Sequence, residues 1–210
     1  MKTLVLTKMA AGLVLAGLLA GQGTAMGATR AEVRGQLGRA QFSHAGGPFK
    51  PVEKGAGFEV GDVIQTANGA ALDLDFGDAV GIVRLTESTT LVIERWTAGE
   101  GGTELELFLR DGEVLGKLSQ ATAGSRFKVK INTGIAAIVE GHYRVSAKGH
   151  MVLLDGKAAF VHVPESGESQ AHSMKAPPAV YVSPVEGVRP APAELVKEVS
   201  GQWRAKLPRR

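Results

Sequence analysis

Short alternating segments separated by tight-turn signals are the feature that most constrains how this chain can fold. Asn68-Gly69, Asp111-Gly112 and Asp155-Gly156 are pairs that favour two-residue hairpin turns. Turn signals recur roughly every 8–15 residues between residues 33 and 163, and none of the intervening segments has a helical period. This spacing predicts an all-β fold of about ten to eleven short strands, either a β-sandwich or a β-roll, that is, a short solenoid-like stack.

The densest run of predicted strands lies at 125–163. Phe127 and Val129 alternate with basic residues, an apolar run ends at Gly141, and the alternation resumes at Tyr143. No residue pattern in this run is typical of a catalytic site. We therefore interpret it as the architectural centre of the fold.

The composition excludes two kinds of cysteine site and argues against a nucleic-acid partner. The 210 residues include no cysteine, which excludes disulfides and thiolate metal sites. The formal net charge is +3, but residues 1–27 hold two lysines and no acid, which leaves 22 basic and 21 acidic residues beyond them. A folded protein so close to neutrality is not expected to bind nucleic acid.

The first 27 residues have the pattern of a secretory signal peptide. Lys2 and Lys8 precede an apolar run at 9–21, and small residues follow it up to Ala28. The run has 13 residues, whereas a membrane-spanning helix needs roughly 20. A retained membrane anchor is therefore the less favoured alternative. We expect cleavage near Ala28, a periplasmic or secreted protein, and no transmembrane segment after cleavage.

The alternating strand pattern ends after residue 163. Five prolines between 177 and 192 predict an extended segment, and apolar residues on one face predict a helix that begins near Pro192. Gly201 lies inside that helix and weakens it by roughly 1 kcal/mol. The predicted organisation is a signal peptide at 1–27, an all-β domain at 28–163, a proline-rich extended segment at 164–192, and a helix with a basic tail at 193–210.

Several segments share the order and spacing of a known motif series. Residues 57–66 are Gly-Phe-Glu-Val-Gly-Asp-Val-Ile-Gln-Thr, 107–114 end in Asp-Gly-Glu-Val, and 125–145 contain Ser-Arg-Phe-Lys-Val and Gly-His-Tyr-Arg-Val. Over roughly residues 55–163 the chain resembles the FecR domain family. The resemblance implies the fold and a periplasmic or surface setting.

The resemblance gives ten residues an architectural role in the family motif, and the chain departs from that motif at two others. At the departures, Glu140 and His142 stand where the family has Arg and Thr, so any functional peculiarity is expected there. Gly141 between them is expected to mark a close backbone approach or a positive φ. The ten motif residues are Gly61, Asp62, Thr66, Phe127, Val129, Gly134, Gly141, Tyr143, Asp155 and Gly156.

The family resemblance does not bring the whole family function with it. FecR proteins that relay iron-siderophore signals have a cytoplasmic tail that contacts a sigma factor, followed by a transmembrane helix. Here the apolar run at 9–21 starts near the N-terminus and is expected to be removed. The transmembrane anti-sigma role is therefore not implied for this chain.

Candidate sites for chemistry are sparse. Asp73, Asp75 and Asp78 could form a carboxylate cluster for Ca²⁺ or glycoside hydrolysis. Alternation places Asp73 and Asp75 on a solvent face and Asp78 in a turn, so we interpret them as a solvated face and a turn former. No nucleophile elbow or phosphate-binding loop occurs. We predict no enzyme activity and no cofactor.

The histidines do not form a metal-binding pattern either. None of the paired spacings typical of zinc ligands occurs among them, so no metal site is expected. The five are His44, His142, His150, His162 and His172.

Every second residue at 126–130 is basic. This strip could contact an anionic glycan or membrane surface. A simpler interpretation is pairing across neighbouring strands, either with Glu104 and Glu106 or with Asp73 and Asp75.

Three functions remain open on these observations. The first is a non-catalytic, extracytoplasmic FecR-domain protein that acts as an interaction or scaffold module and binds a protein or envelope partner through sheet edges and loops. The second is a periplasmic regulatory sensor related to FecR-type anti-sigma relay. The third is a carbohydrate-binding protein that uses the face carrying Asp73 and Asp75. Partner identity and oligomeric state are not determined by these patterns.

Overall fold

The computed structural model describes residues 29–53, 55–119, 124–163 and 168–208. Seventeen strands and one helix form there, which confirms an all-β fold with a short C-terminal helix. The predicted signal peptide lies outside the described residues. The elements are β1 (Ala31–Leu37), β2 (Ala40–Ser43), β3 (Lys50–Pro51), β4 (Gly57–Phe58), β5 (Val63–Thr66), β6 (Ala71–Asp75), β7 (Ile82–Leu85), β8 (Thr90–Gly99), β9 (Gly102–Asp111), β10 (Glu113–Leu118), β11 (Arg126–Ile131), β12 (Gly134–Ser146), β13 (Met151–Leu153), β14 (Gly156–His162), β15 (Gln170–Ala176), β16 (Val180–Ser183), β17 (Gly187–Pro190) and α1 (Ala193–Arg204).

Two features account for most of the strands beyond the expected ten to eleven. The two-residue strands β3 and β4 are too short to show alternation. The polar and proline-rich segment at 164–192 also contributes β15, β16 and β17, whose sheet continues from strands of the preceding domain. Strand pairing therefore extends beyond residue 163.

The strands form two layers of one curled network. The first sheet has the order β4-β1-β6-β7-β10-β12-β13-β16-β17, and the second has the order β3-β2-β5-β8-β9-β11-β12-β14-β15. Strand β12 belongs to both layers, because its first half pairs with β11 and β14 and its second half with β10 and β13. Among the described pairs only β9–β11 is parallel. The dense run of strands at 125–163 is thus where the chain passes between the layers.

The core lies between the two layers and follows the alternation. Leu72 and Leu74 of β6 and Leu107 of β9 are completely buried. The Phe127 ring of the second sheet packs against the Tyr143 ring of the first, with 5.8 Å between centroids. Each fully buried side chain of this size contributes roughly 1.5–3 kcal/mol. Burial of alternate residues on both sheets is therefore what holds the layers together.

Helix α1 lies on the outer face of the first sheet. Val199 of the helix packs against Leu115 and Val152, in a small cluster separate from the main core. Pro192 precedes the helix, and Gly201 within it has no neighbouring atom near its missing side chain. Within the described part of the chain, no helix has the length and apolar character that crossing a membrane requires.

Candidate functional site

The first motif residues fix the turn between β4 and β5. Gly61 has φ +94°, and its N–H donates to the carbonyl of Ile93 at 2.8 Å. The buried Asp62 carboxylate accepts the N–H of Glu59 at 2.8 Å and pairs with Nδ1 of His44 at 2.6 Å. These bonds hold the turn against β8, so the role visible here is structural.

Thr66 is the centre of a buried hydroxyl network. Its Oγ1 accepts the N–H of Thr89 at 3.0 Å and donates to the carbonyl of Thr86. The Thr89 hydroxyl in turn accepts the N–H of Glu113 at 3.2 Å. The network ties together the ends of β5, β8 and β10, where a buried polar group needs partners.

Gly141 lies where β12 changes layer. It has φ +108°, and a Cβ at this position would lie 1.9 Å from the carbonyl oxygen of Asp155. Gly156 has φ +91° and meets the carbonyl of Glu140 in the same way, at 2.1 Å. Only residues without a side chain allow the two segments to approach so closely.

The two departures from the family motif flank this contact. Glu140 pairs with Lys157 across β12 and β14 at 3.2 Å. His142 Nδ1 lies 2.7 Å from Oδ2 of Asp155, and the His142 N–H donates to the other carboxylate oxygen at 2.9 Å. The His142 ring also meets Trp203 of α1 edge-on, with 5.7 Å between centroids. Both departures therefore have partners within the fold, and His142 connects the β12 junction to the helix.

Tyr143 is buried in the core. It packs against Gly116, which is not one of the ten motif residues, so this contact was not predicted. Burial raises the pKa of the Tyr143 phenol well above its usual range. A Cβ at Gly116 would lie 1.8 Å from the Tyr143 hydroxyl oxygen. Gly116 thus makes the space that Tyr143 occupies. Of the other core motif positions, Phe127 and Val129 are buried, and Gly134 lies against the carbonyl of Val161.

The structure corrects the predicted solvent face of β6. Asp73 is only 8% exposed and is hydrogen-bonded by Arg84 beneath α1. The predicted alternation of inward and outward residues in β6 is correct. However, helix α1, from the far end of the chain, covers the outward face, and local periodicity cannot predict that contact. Asp75 pairs with Arg34, and Asp75 and Asp78 line a small open pocket of about 280 Å³ beside Trp203. The three carboxylates therefore do not form one site.

The basic strip pairs within the second sheet. Lys128 Nζ lies 3.3 Å from Glu106 and 3.9 Å from Glu104, on the parallel neighbour β9. Lys130 binds Glu94 at 2.6 Å. The interpretation as cross-strand pairing with Glu104 and Glu106 is confirmed for Lys128, whereas Lys130 pairs with a glutamate that was not predicted. Among the described residues, no group of three or more His, Cys, Asp or Glu could hold a metal ion.

An open cleft of about 930 Å³ lies on the second sheet. Its floor is a row of cross-strand partners, in which Gln41 is opposite Gln65, Gln65 opposite Thr90, and Thr90 opposite Asp111. The Gln41 amide donates to the Gln65 carbonyl oxygen at 2.9 Å. The row runs across β2, β5, β8 and β9, so it depends on strand register and was not predicted.

Three polar side chains that line the cleft have a group without a partner within the described residues. Arg39 and Asp111 are exposed and form no ion pair with any described residue. The buried side-chain oxygen of Gln36 has no hydrogen-bond partner within the described residues. Leu37 and Phe49, which lie close to lining residues in sequence, are 49% and 45% exposed. The cleft thus combines amide and hydroxyl groups with two unpaired charges.

Comparison with known proteins gives a likeness in fold only. No family model matches the chain, and no curated protein does. Two crystal structures of provisionally assigned anti-sigma factors from Parabacteroides distasonis are similar, at 17% and 16% identity with TM-scores of 0.48 and 0.47. Each match covers 64% of this chain and 62% of the other, so the chain spans less than two thirds of those proteins' length.

Proposed function

We propose that this chain is a non-catalytic interaction module of the bacterial envelope, and that it binds a protein partner in the cleft of the second sheet. The cleft of about 930 Å³ is the observation that carries the proposal. A concave site of this size with convergent polar groups is the usual form of a binding site. Its exposed side chains are not needed to hold the strands, whose core contacts lie on the opposite face.

The chemistry of the cleft suits a protein surface. Gln41 and Gln65 carry amides that both donate and accept hydrogen bonds, as a peptide main chain does. Pro51 and Ala67 add apolar surface to the lining. Protein interfaces likewise combine apolar surface with about one hydrogen bond per 100–200 Å². The lining residues include no aromatic ring on which a sugar could stack.

We also propose that the chain is FecR-like, periplasmic or secreted, and released by signal cleavage. The order and spacing of segments over residues 55–163 support the family, and the pattern of residues 1–27 supports the compartment. A regulatory sensor related to FecR-type relay is the second candidate, favoured by the same segments. It requires a retained N-terminal anchor. N-terminal sequencing separates the two, because a mature start near Ala28 contradicts direct sigma-factor contact.

The cleft is tested by comparing capture between two matched variants. Gln41→Arg places a long cation in the cleft, whereas Gln170→Arg makes the same change on the exposed β15 edge. Each full chain is immobilised and crosslinked in an envelope extract from the source cell. We expect the same protein to be captured by the unchanged chain and by Gln170→Arg, and at least tenfold less of it by Gln41→Arg. Equal capture by both variants, or no specific capture by the unchanged chain, contradicts the proposal.

A further inference from the structure

Helix α1 is attached to the first sheet by a small apolar contact. Val199 is its only fully buried residue, and it packs with Leu115 and Val152 in a cluster separate from the main core. Leu195 and Trp203 complete the contact and are only partly buried. A helix whose apolar contact includes only one fully buried side chain has few apolar contacts to lose when it leaves, which is typical of a locally unstable element.

Docking also leaves polar atoms of the helix without partners. The side-chain oxygen of Gln202 and the indole N–H of Trp203 are buried and have no hydrogen-bond partner among the described residues. Pro192 at the start of α1 provides no side-chain cap. Each buried polar group that loses its bond to water without a replacement destabilises the docked state. The docked helix therefore keeps two buried polar atoms without partners, which lowers the cost of displacing it.

Two arginines of the sheet bind oxygen atoms with full or partial negative charge on the helix that occupies this face. Arg84 donates to the main-chain oxygens of Gln202 at 2.5 Å and Ala205 at 2.7 Å, at the negative end of the helix dipole. Arg144 donates to the Glu198 carboxylate at 2.6 Å. The face therefore combines an apolar strip with one cation for a helix C-terminus and one for an acidic side chain.

We propose that α1 is a displaceable occupant of this face, and that a protein partner docks there through an amphipathic helix of the same chemistry. That helix presents an aliphatic residue where Val199 lies, a carboxylate where Glu198 lies, and its C-terminal carbonyls to Arg84. The residues of this face do not line the cleft, whose row of cross-strand partners lies on the second sheet, so this proposal does not depend on the proposed function.

Displacement is tested in the full chain with single cysteines. The chain has no natural cysteine, so Val199→Cys and Val129→Cys each provide one thiol at a fully buried valine. The reaction rate with a thiol reagent reports how often each site opens. We expect Val199→Cys to react at least 100-fold faster than Val129→Cys, at a rate that is insensitive to low urea. Equal rates, or a urea dependence equal to that of global unfolding, overturn the proposal.

Partner chemistry is tested with a labelled peptide of residues 192–208. Val199→Asp in the full chain removes the apolar anchor of α1 and vacates the face. We expect the peptide to bind this variant at least tenfold more tightly than the unchanged chain, in which α1 competes. A peptide carrying Glu198→Lys should bind the variant at least fivefold more weakly. A folded Val199→Asp chain that binds both peptides equally, or neither, overturns the proposal. Should that variant fail to fold, the cysteine rates still decide.

Discussion

Arg84 and Asp73 form a two-bond ion pair across β6 and β7, with Nε 2.6 Å from Oδ1 and Nη2 2.8 Å from Oδ2. Both side chains are about nine-tenths buried, beneath α1. Nη1 of Arg84 donates to two carbonyls at the end of that helix. One guanidinium thus neutralises a buried carboxylate and anchors the helix, which makes the pair the polar link between sheet and helix.

Breaking this pair from either side is expected to be costly. Asp73→Ala or Arg84→Met each leaves a buried charge without its counter-ion, so each should lower the free energy of unfolding by about 3–5 kcal/mol. The double variant should cost clearly less than the sum of the two, because it removes both charges. Urea unfolding measures all three. Arg34→Ala, which removes the exposed cation of the pair with Asp75, is the control and should cost at most about 1 kcal/mol. Additive effects would contradict the coupling.

Two glycine-to-alanine substitutions should have opposite signs. At Gly116 the new Cβ would lie 1.8 Å from the Tyr143 hydroxyl, so the core must move, and we expect a loss of about 3 kcal/mol in unfolding free energy. At Gly201 no atom lies within 4 Å, and alanine should stabilise the helix by about 0.5–1 kcal/mol. Thermal and urea unfolding check both. A neutral Gly116→Ala would show that Tyr143 can leave its site without cost.

Tyr143 should make the fold sensitive to alkali. Burial raises the pKa of its phenol in the folded state, whereas the unfolded phenol has a pKa of about 10. Above that pH the unfolded chain binds fewer protons than the native chain. Stability is therefore complete below about pH 10 and falls as the pH rises towards the folded pKa, by up to about 1.4 kcal/mol per pH unit.

Urea midpoints between about pH 8 and 11.5 measure this dependence. Tyr143→Phe should remove most of the alkaline slope, and the partly exposed Tyr181→Phe should retain it. An identical slope in the unchanged chain and in Tyr143→Phe would contradict the assignment.

Gly141 should tolerate alanine much less well than another glycine of similar φ. Gly77 has φ +80° and open space at its missing side chain, so Gly77→Ala should cost only the backbone strain, about 1–2 kcal/mol. Gly141→Ala adds a collision with the Asp155 carbonyl at 1.9 Å. We expect it to cost at least about 2 kcal/mol more, or to prevent folding. Equal costs in thermal unfolding would mean that the β12 junction has room to adjust.

Much of the fold could be predicted because side-chain alternation is a local property. Leu72 and Leu74 occupy the predicted inward positions, and Lys128 pairs with the glutamates two strand positions apart on β9. Turn residues such as Gly61 also have the positive φ that hairpin and turn signals predict. These features depend only on neighbours a few residues away.

The candidate sites could not be predicted to the same degree. The cleft row joins Gln41, Gln65 and Thr90, which become neighbours only when three strands take one particular register. A shift of one residue would turn each of these side chains to the other face. Glu140 and His142 could be identified from the sequence as departures from the motif. Their partners could not, because Lys157 and Asp155 reach them only where β12 meets β14 and the turn before β14.

By itself, the sequence determined an all-β chain with a helix near its end, the inward face of most strands and the positions of the turns. Those properties arise from a two-residue period and from glycine at positive φ. Only the tertiary structure decided that Asp73 is buried, because the helix that covers it is bound by Arg84, whose partner Gln202 lies 118 residues further along the chain. Local periodicity states which way a side chain points, but what meets it there depends on the packing of the whole chain.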